Sequence, residues 1–257
     1  MIYNIFNIKR LSSFIIILFS LMFMNLNITS FKTDQQKNSR VKQAYKEKGE
    51  IVKSVLKSKN IDINKLKIYL RVFKTEKTIE LWGQNSGDKQ FKLIKTFDIC
   101  ASSGSVGPKR QMGDGQVPEG FYYIDRFNPW SNFYLSLGIN YPNKSDKILG
   151  VKGRLGGDIF IHGNCVTIGC MPITDDKIKE LYIYCVEAKN NGQTKIPVTI
   201  FPEKLTDKNF NTLKQKYSDD NDKINLWTDL KKAFDLFEKQ KNLPKIVFLN
   251  NGRHTVN

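Results

Sequence analysis

Histidine and cysteine are scarce in this sequence, and their scarcity narrows the chemistry open to the chain. Its 257 residues include 2 histidines and 4 cysteines. No two cysteines are spaced as C-x2-C, the pairing that most structural zinc sites use. Internal repeats and low-complexity tracts are also absent from the sequence. Its 40% apolar and 12% aromatic residues instead suit one substantial globular domain or a domain with appendages.

Acidic residues are few relative to basic ones. Lys and Arg number 41 against 25 Asp and Glu, which gives a net charge of +16. Such an excess favours an anionic neighbour, and nucleic acid, a membrane surface and an acidic cell-wall polymer are the main classes. Charge alone does not choose among them.

The apolar run FIIILFSLMFM, residues 14–24, falls short of the roughly 20 residues of a membrane-spanning helix. Lys9 and Arg10 precede it and a polar stretch follows, which is the layout of a signal peptide over residues 1–30. No small-x-small cleavage site is clear, so an uncleaved membrane anchor through residues 11–28 stays open. Export argues against nucleic acid as a partner. It predicts a location in the periplasm or cell envelope, attached to the inner membrane if the anchor is retained.

The hydrophobic period then indicates a helical region followed by strands. Residues 31–64 are a predicted helical lead-in, because apolar residues recur at helical spacing within residues 39–60. From residue 65 the period changes to two. This pattern predicts three strands joined by tight turns, within residues 65–72, 78–82 and 91–99. The polar side chains that alternate along the first of them are expected on a solvated sheet face: Lys67, Tyr69 and Arg71.

Two long irregular segments follow these strands. Glycine and proline are frequent in residues 101–124, which predicts a functional loop that ends in a turn at PEG before another strand. Residues 128–146 are aromatic and turn-rich without a helical period. For this second segment, lining a cleft and covering the core are equally open.

The C-terminal half is predicted to alternate strands and helices. Residues 158–161 read as a short buried strand, and a helix begins after the N-cap Thr174. Cys185 lies on the apolar face of that helix and is interpreted as a core residue. PVTIF, residues 197–201, reads as a last core strand.

Residues 203–257 are a predicted helical appendage that ends in a hairpin. One of its helices carries an apolar stripe formed by Trp227, Leu230, Phe234 and Phe237. We expect the appendage to pack on the preceding domain and to shape one wall of its cleft.

The stretch IHGNCVTIGC, residues 161–170, brings one histidine and two cysteines together. As zinc ligands, His162, Cys165 and Cys170 need a fourth partner from Cys185 or Cys100, at a spacing unusual for zinc. A disulfide is the second interpretation, because exported proteins often pair their cysteines. Cys100 and Cys165 are the best-placed pair, although sequence does not fix the connectivity.

A catalytic thiol is the third interpretation. Cys170 follows Gly169 and closely precedes a helix N-terminus, where backbone N–H groups are available to an oxyanion. His162 is the only well-placed base, since His254 lies in a turn-like tail. No Asp or Asn in the loop is placed to orient His162, which leaves a backbone carbonyl for that role. If His162 ionises the thiol, the pKa of Cys170 is expected below its free value of about 8.5.

These residues resemble the active-site signature of the L,D-transpeptidase (YkuD-type) catalytic domain. The matching positions are His162, Gly163, Thr167, Gly169 and Cys170. Residues 107–124 resemble the family segment that ends in T-P-x-G-x-F, with Val117 in place of the threonine. The likeness spans roughly residues 65–202 and is closer to a branch of murein-acting peptidase- or amidase-like envelope proteins.

Three departures limit what carries over from the family. Ile168 stands where the common form has a second histidine, and Pro172 where it has an arginine. The spacing between His162 and Cys170 is also compressed, with seven residues between them. The resemblance therefore leaves the orientation of the substrate, and its acceptor, open.

The resemblance implies a mainly β fold with flanking helices (α+β): an L,D-transpeptidase-like β-sandwich or barrel core over residues 65–202, followed by the helical appendage. It implies a cysteine enzyme of cell wall biogenesis that acts on a peptidoglycan stem peptide or a murein-linked protein. Cys170 is the implied nucleophile and His162 its base, and no cofactor or metal is expected. Backbone groups of Gly163, Gly169 and Met171 would hold the oxyanion, and the implied substrate contacts are Asn164, Thr167, Lys109 and Arg110.

The acceptor and two other functions stay open at this point. A wall amine would make the enzyme a transpeptidase, whereas water would make it a carboxypeptidase or murein amidase. A sortase also combines an N-terminal anchor with a β domain, but it needs a longer separation of histidine and cysteine and an arginine soon after the cysteine. A non-catalytic basic wall-binding protein with structural cysteines is the third option. Rapid alkylation of one thiol would separate an enzyme from such a binder.

Overall fold

The computed structural model of the protein describes residues 29–257. The predicted signal peptide or anchor over residues 1–30, including its apolar segment 11–28, lies outside the described residues except for residues 29 and 30. Within residues 29–257, no helix combines the length and apolar character needed to cross a membrane.

Six α-helices occur in the described residues, and all but the one at residues 144–149 lie in regions predicted to be helical. They are α1 (Phe31–Gln35), α2 (Ser39–Ser58), α3 (Lys144–Leu149), α4 (Asp175–Asn190), α5 (Asp207–Lys216) and α6 (Asn221–Gln240). The N-cap predicted for α4 is confirmed, because the Thr174 hydroxyl accepts a hydrogen bond from the backbone N–H of Lys177. Cys185, midway along α4, is fully buried as expected.

The strands are β1 (Leu66–Phe73), β2 (Thr78–Asn85), β3 (Lys92–Asp98), β4 (Gly120–Asn128), β5 (Ser136–Ile139), β6 (Phe160–His162), β7 (Met171–Pro172), β8 (Ile196–Phe201), β9 (Ile246–Phe248) and β10 (His254–Val256). The first eight form one sheet in the order β3-β2-β1-β8-β4-β5-β6-β7. β1 and β8 pair in parallel, as do β6 and β7, and the other neighbours are antiparallel. The predicted α+β class is confirmed, and the sheet curls into a half-barrel.

Two large hydrophobic clusters cover this sheet, beside a third cluster of four residues around Phe237. The larger one includes α4, whose side chains are buried almost throughout the helix because α2 packs against its outer side. The smaller cluster joins Phe73, Phe121 and Phe201 of the sheet to Trp227, Leu230 and Phe234 of α6. The appendage therefore packs against the sheet, and β9 and β10 form the hairpin expected at the C-terminus.

The expectation of a solvated polar face on β1 is wrong, because α6 covers that face. Tyr69 is buried and packs edge-on against Phe237 of α6, with ring centroids 5.1 Å apart. Arg71 is also buried, and its guanidinium pairs with Glu238 at 2.7 Å. Successive side chains of β1 therefore point to two faces of the sheet that are both covered, one by the large core cluster and the other by α6.

Candidate active site

The inner loop, residues 163–170, connects β6 to β7 and brings the histidine of the motif close to its second cysteine. In the parallel β6–β7 pair, Ile161 lies beside Met171 and His162 beside Pro172. Cys170 therefore lies two residues along the pair from the partner of His162. Strand spacing and rise then put the Cα atoms of His162 and Cys170 about 8 Å apart.

His162 is a buried imidazole whose tautomer is set by the backbone. Its Nδ1 lies 2.5 Å from the carbonyl oxygen of Gly163. A carbonyl oxygen only accepts hydrogen bonds, so Nδ1 carries the proton and Nε2 carries the lone pair. Burial lowers the pKa of His162, and the bond to Gly163 offsets part of this effect. The backbone carbonyl expected to orient His162 is therefore that of Gly163, and the ring is a neutral base.

The ring of Phe133 covers His162. The ring centroids lie 4.5 Å apart with an interplanar angle of 30°. Phe133 belongs to the aromatic segment 128–146, whose role the sequence left open. Its contact with His162 assigns part of this segment to the site, whereas Leu135, Leu137 and Ile139 of the same segment are core residues.

Cys170 is a free, half-buried thiol. Burial raises its pKa, a backbone hydrogen bond with Phe160 lowers it, the nearby Asp158 carboxylate raises it and Lys109 lowers it. The net effect is upward, so the expectation of a depressed pKa is wrong for the resting protein. Its Sγ donates to the carbonyl oxygen of Asp158 at 3.6 Å, and no hydrogen bond within residues 29–257 joins it to His162. The resting pair is thus a neutral thiol and a neutral imidazole.

Thr167 organises the end of the inner loop. Its Oγ1 accepts hydrogen bonds from the backbone N–H groups of Cys170 at 2.8 Å and Gly169 at 3.2 Å. The hydroxyl itself donates to the carbonyl oxygen of Cys170 at 2.9 Å. In the resting structure Thr167, expected as a substrate contact, therefore holds the backbone of Gly169 and Cys170.

The other expected backbone positions differ in their availability. The N–H of Gly163 donates to the carbonyl oxygen of Leu135 at 3.2 Å, so it already has a partner. Gly163 is required for another reason, because a Cβ there would lie 2.5 Å from Oδ1 of Asp175. Met171 begins β7 and pairs with Ile161. Gly169 has a φ of +129°, in the range where glycine is favoured.

Cys170 opens into a cavity of about 230 Å³. Its wall includes Met171 from β7, and Lys74 and Lys77 from the end of β1 and the turn after it. Much of the rest comes from the outer loop, residues 101–119, which connects β3 to β4. The contributing outer-loop residues are 101–106 and Val117. The sequence predicted that the outer loop is functional. It did not predict a place in the site for Lys74, because this residue lies outside any motif.

The two outer-loop cations expected to bind substrate are engaged within the protein. Lys109 is buried, and its Nζ donates to Oδ1 of Asp114 at 2.6 Å. Arg110 makes a bidentate pair with Asp222 of α6, at 2.7 and 2.8 Å. Both side chains therefore stabilise the outer loop in the resting structure, and their contact with a substrate stays a prediction.

Asn164 does not line the Cys170 cavity. Its backbone N–H donates to Oδ1 of Asp175 at 2.8 Å, and its φ is +59°. With Arg40, Tyr134 and Cys165 it lines a separate open groove that shares no lining residue with the Cys170 cavity. The resting structure therefore does not place Asn164 in the wall of the Cys170 cavity.

The remaining cysteine of the motif is in a disulfide. Cys165 is bonded to Cys100, with an S–S distance of 2.12 Å, and this is the pair that the sequence favoured. The bond ties the inner loop to the residue that precedes the outer loop. It also removes both Cys165 and the alternative fourth partner Cys100 from the zinc interpretation, and no cluster of three metal-binding side chains occurs within residues 29–257.

Ile168 and Pro172, which replace the histidine and arginine of the common family form, have different surroundings. Ile168 projects from the inner loop and is 91% exposed. Pro172 is buried in β7, opposite His162. Neither residue supplies a polar group to the cavity.

Comparisons with known proteins agree with the motif. The family model described as YkuD, L,D-transpeptidase catalytic domain, matches residues 67–200. The chain is 36% identical over 191 residues to the Escherichia coli K12 protein named "Putative L,D-transpeptidase YafK". The aligned residues cover 74% of this chain and 73% of that protein.

Solved structures give weaker likenesses. The helical cell shape determining protein Pgp2 of Campylobacter jejuni has a TM-score of 0.44 at 20% identity, covering 72% of this chain and 73% of that one. Bd1075 of Bdellovibrio bacteriovorus has a TM-score of 0.40 at 20% identity, covering 72% and 77%. The evidence for the family is therefore the family model and the sequence identity, and not these structures.

Proposed function

The chain belongs to the YkuD L,D-transpeptidase catalytic domain family, and we propose that it is a cysteine-dependent acyl-transfer enzyme of the cell envelope. Its substrate is a peptidoglycan stem peptide, free or linked to a protein. The observation that carries this proposal is the free thiol of Cys170 in the wall of a cavity, next to the β6–β7 pair that holds His162, whose Nε2 carries a lone pair. Sortase chemistry gains no support, since the family match is to a different domain.

In the proposed mechanism His162 acts as a general base rather than as half of a preformed ion pair. The raised pKa of Cys170 and the lowered pKa of His162 keep both groups neutral at rest. As Sγ attacks the substrate carbonyl, its proton passes to Nε2 of His162, and the Gly163 carbonyl stabilises the imidazolium through Nδ1. The proton then goes to the leaving amine, which departs as the thioester forms.

The oxyanion of the first step lies near the Gly169 amide in this proposal. At 3.2 Å, its bond to Thr167 Oγ1 is the longer of the two that this hydroxyl accepts. A developing negative charge is a stronger acceptor than a hydroxyl and would take this N–H. Gly169 has no side chain to obstruct the approach of the carbonyl group.

The acceptor of the thioester decides the name of the reaction. Attack by a wall amine forms a new amide bond, and attack by water releases a shortened peptide. The test is incubation of the protein lacking residues 1–30, beside its Cys170→Ala variant, with purified disaccharide-tetrapeptide, followed by mass analysis. Loss of the terminal residue with dimers indicates a transpeptidase, and loss with monomers alone a carboxypeptidase. A protein-linked muropeptide tests amidase action, and no Cys170-dependent product from either substrate overturns the proposal.

A further inference from the structure

The outer loop touches the inner loop directly beside the nucleophile. A Cβ placed on Gly169 would lie 3.1 Å from the carbonyl oxygen of Gln116. The two backbones are therefore in close contact one residue before Cys170. Because Val117 and residues 101–106 also line the cavity, the position of the outer loop sets the space in which a substrate meets the thiol.

A single buried carboxylate holds the C-terminal end of this loop. Glu119 has a fully buried side chain, and its Oε1 lies 2.9 Å from Nζ of Lys74. The same oxygen accepts the backbone N–H of Gly107 at 2.6 Å. Its other oxygen, Oε2, accepts Nε1–H of Trp227 at 2.7 Å. A carboxylate with this set of donors is held rigidly, and so is the backbone bonded to it.

Lys74 connects the two ends of the segment 107–117. Its ammonium donates to the carbonyl oxygens of Gly107 and Val117, both at 2.9 Å, in addition to its pairing with Glu119. Three partners use the three N–H donors of the group. Both ends of the segment 107–117 are therefore fixed to one point.

The middle of the loop is held by a second contact with α6. Arg110 pairs bidentately with Asp222 and lies 3.5 Å from Asp146. Its backbone N–H donates to Asp114, which also receives Lys109. Arg110 thus links Asp222 of α6 to the hydrogen bonds within the outer loop.

Asp222 and Trp227 both lie in the first half of α6, outside the matched residues 67–200. We propose that this half-helix is a working part of the active site: Asp222 and Trp227 are positioning residues that place the outer loop against the inner loop beside Cys170. The inference rests on the proposed function for its catalytic readout. In this proposal the appendage affects the rate of the reaction as well as the stability of the fold.

Two substitutions remove these contacts, and only the second keeps the shape of the side chain. Trp227→Phe keeps an aromatic ring but removes the N–H that Glu119 accepts. Asp222→Asn is isosteric but removes the charge that pairs with Arg110. A matched control is Asp207→Asn in the same appendage, because Asp207 pairs with Lys231 of α6 and contacts no outer-loop residue.

The experiment measures kcat and KM on the disaccharide-tetrapeptide, the thermal midpoint, and hydrogen exchange of residues 107–117. Trp227→Phe and Asp222→Asn are each expected to lower kcat/KM roughly 10- to 100-fold, as a misplaced site does. Exchange in segment 107–117 should become faster while the protein stays folded. Asp222→Glu, which restores the charge, should recover part of the loss, and Asp207→Asn should match wild type.

The outcomes separate the two proposals. If wild type turns over through Cys170 while Asp222→Asn and Trp227→Phe both equal Asp207→Asn, the inference is wrong and the proposed function stands. If Trp227→Phe does not fold, Asp222→Asn alone decides. If wild type shows no Cys170-dependent turnover, the proposed function fails, and unchanged exchange of residues 107–117 in both variants would overturn the positioning role as well.

Discussion

The two loops that border Cys170 are held in place by contrasting means. Apart from the Cys100–Cys165 disulfide and the bond from Gly163 to Leu135, the inner loop is held by neighbours in sequence. Thr167 bonds the backbone of residues two and three positions later, and Asp175 bonds Asn164, eleven positions earlier. The outer loop is held by residues far away in the chain. Trp227 reaches Glu119 across 108 positions and Asp222 reaches Arg110 across 112. A short motif can therefore encode one wall of the site, whereas the other depends on the whole fold.

The inner loop is expected to show the largest effect on catalysis, at His162. His162→Ala should slow acylation about 10²- to 10⁴-fold, because the neutral thiol then has no base to take its proton. The control is His254→Gln, since His254 lies in the terminal hairpin and bonds Asp229. Single-turnover rates of the folded proteins check this prediction. Equal losses in the two variants would contradict the assignment of the base.

The outer loop is expected to show the largest effect on stability, at Lys74. Lys74→Met leaves the Glu119 carboxylate buried without its cation, which should lower the free energy of unfolding by about 3–5 kcal/mol. Lys77→Met is the matched control, because Lys77 lines the same cavity but is exposed and forms no ion pair in the described chain. That control should change stability by less than about 0.5 kcal/mol. Urea denaturation of both variants measures the difference, and similar values would remove Lys74 from this role.

Thr167 tests whether the inner loop is held from within. Thr167→Val has nearly the same shape but no hydroxyl, so the amides of Gly169 and Cys170 lose their acceptor. We expect kcat/KM to fall roughly 10- to 100-fold through misplacement of the thiol. Thr167→Ser keeps the hydroxyl and should stay near wild type. Steady-state kinetics of the pair decide, and a valine variant as active as the serine variant would show that the loop is held by other contacts.

The pH dependence of the reaction is expected to show the smallest change, a displaced acid limb. His162 must be neutral to accept the proton, and burial lowers its pKa. Activity should therefore persist as the pH falls past the ordinary histidine value of about 6.5, and decline only below it. The raised pKa of Cys170 predicts that its alkylation rate still increases above pH 8.5. An acid limb above pH 6.5 would contradict the lowered pKa of His162, and alkylation that levels off below pH 8 would contradict the raised pKa of Cys170.

The contrast between the loops also explains which parts of the site were readable from sequence. The motif places Cys170, His162 and the loop glycine within ten residues, and the backbones of His162 and Cys170 lie near each other in the fold because β6 and β7 pair in register. The helix caps and the alternation of β1 to β3 are equally local. Each of these features follows from contacts over a few positions.

The outer loop could not be read in this way. Lys109 and Arg110 resembled free loop cations, and their partner carboxylates include Asp222, more than a hundred residues away. The polar face of β1 looked solvated because no local pattern reveals that α6 covers it. The expected depression of the Cys170 pKa failed for a related reason. Burial by surrounding elements outweighs the nearby groups, and a motif does not carry that information.

The most direct test of the account is to trap the acyl-enzyme and locate it. Wild type, Cys170→Ala and Cys185→Ala are mixed with the disaccharide-tetrapeptide, quenched rapidly and analysed by mass spectrometry of the intact and digested proteins. Cys185 is fully buried in α4 and serves as the internal control. We predict a thioester adduct on Cys170 in wild type and in Cys185→Ala, and none in Cys170→Ala. Product formation that persists in Cys170→Ala, or an adduct on any other residue, would contradict the central claim.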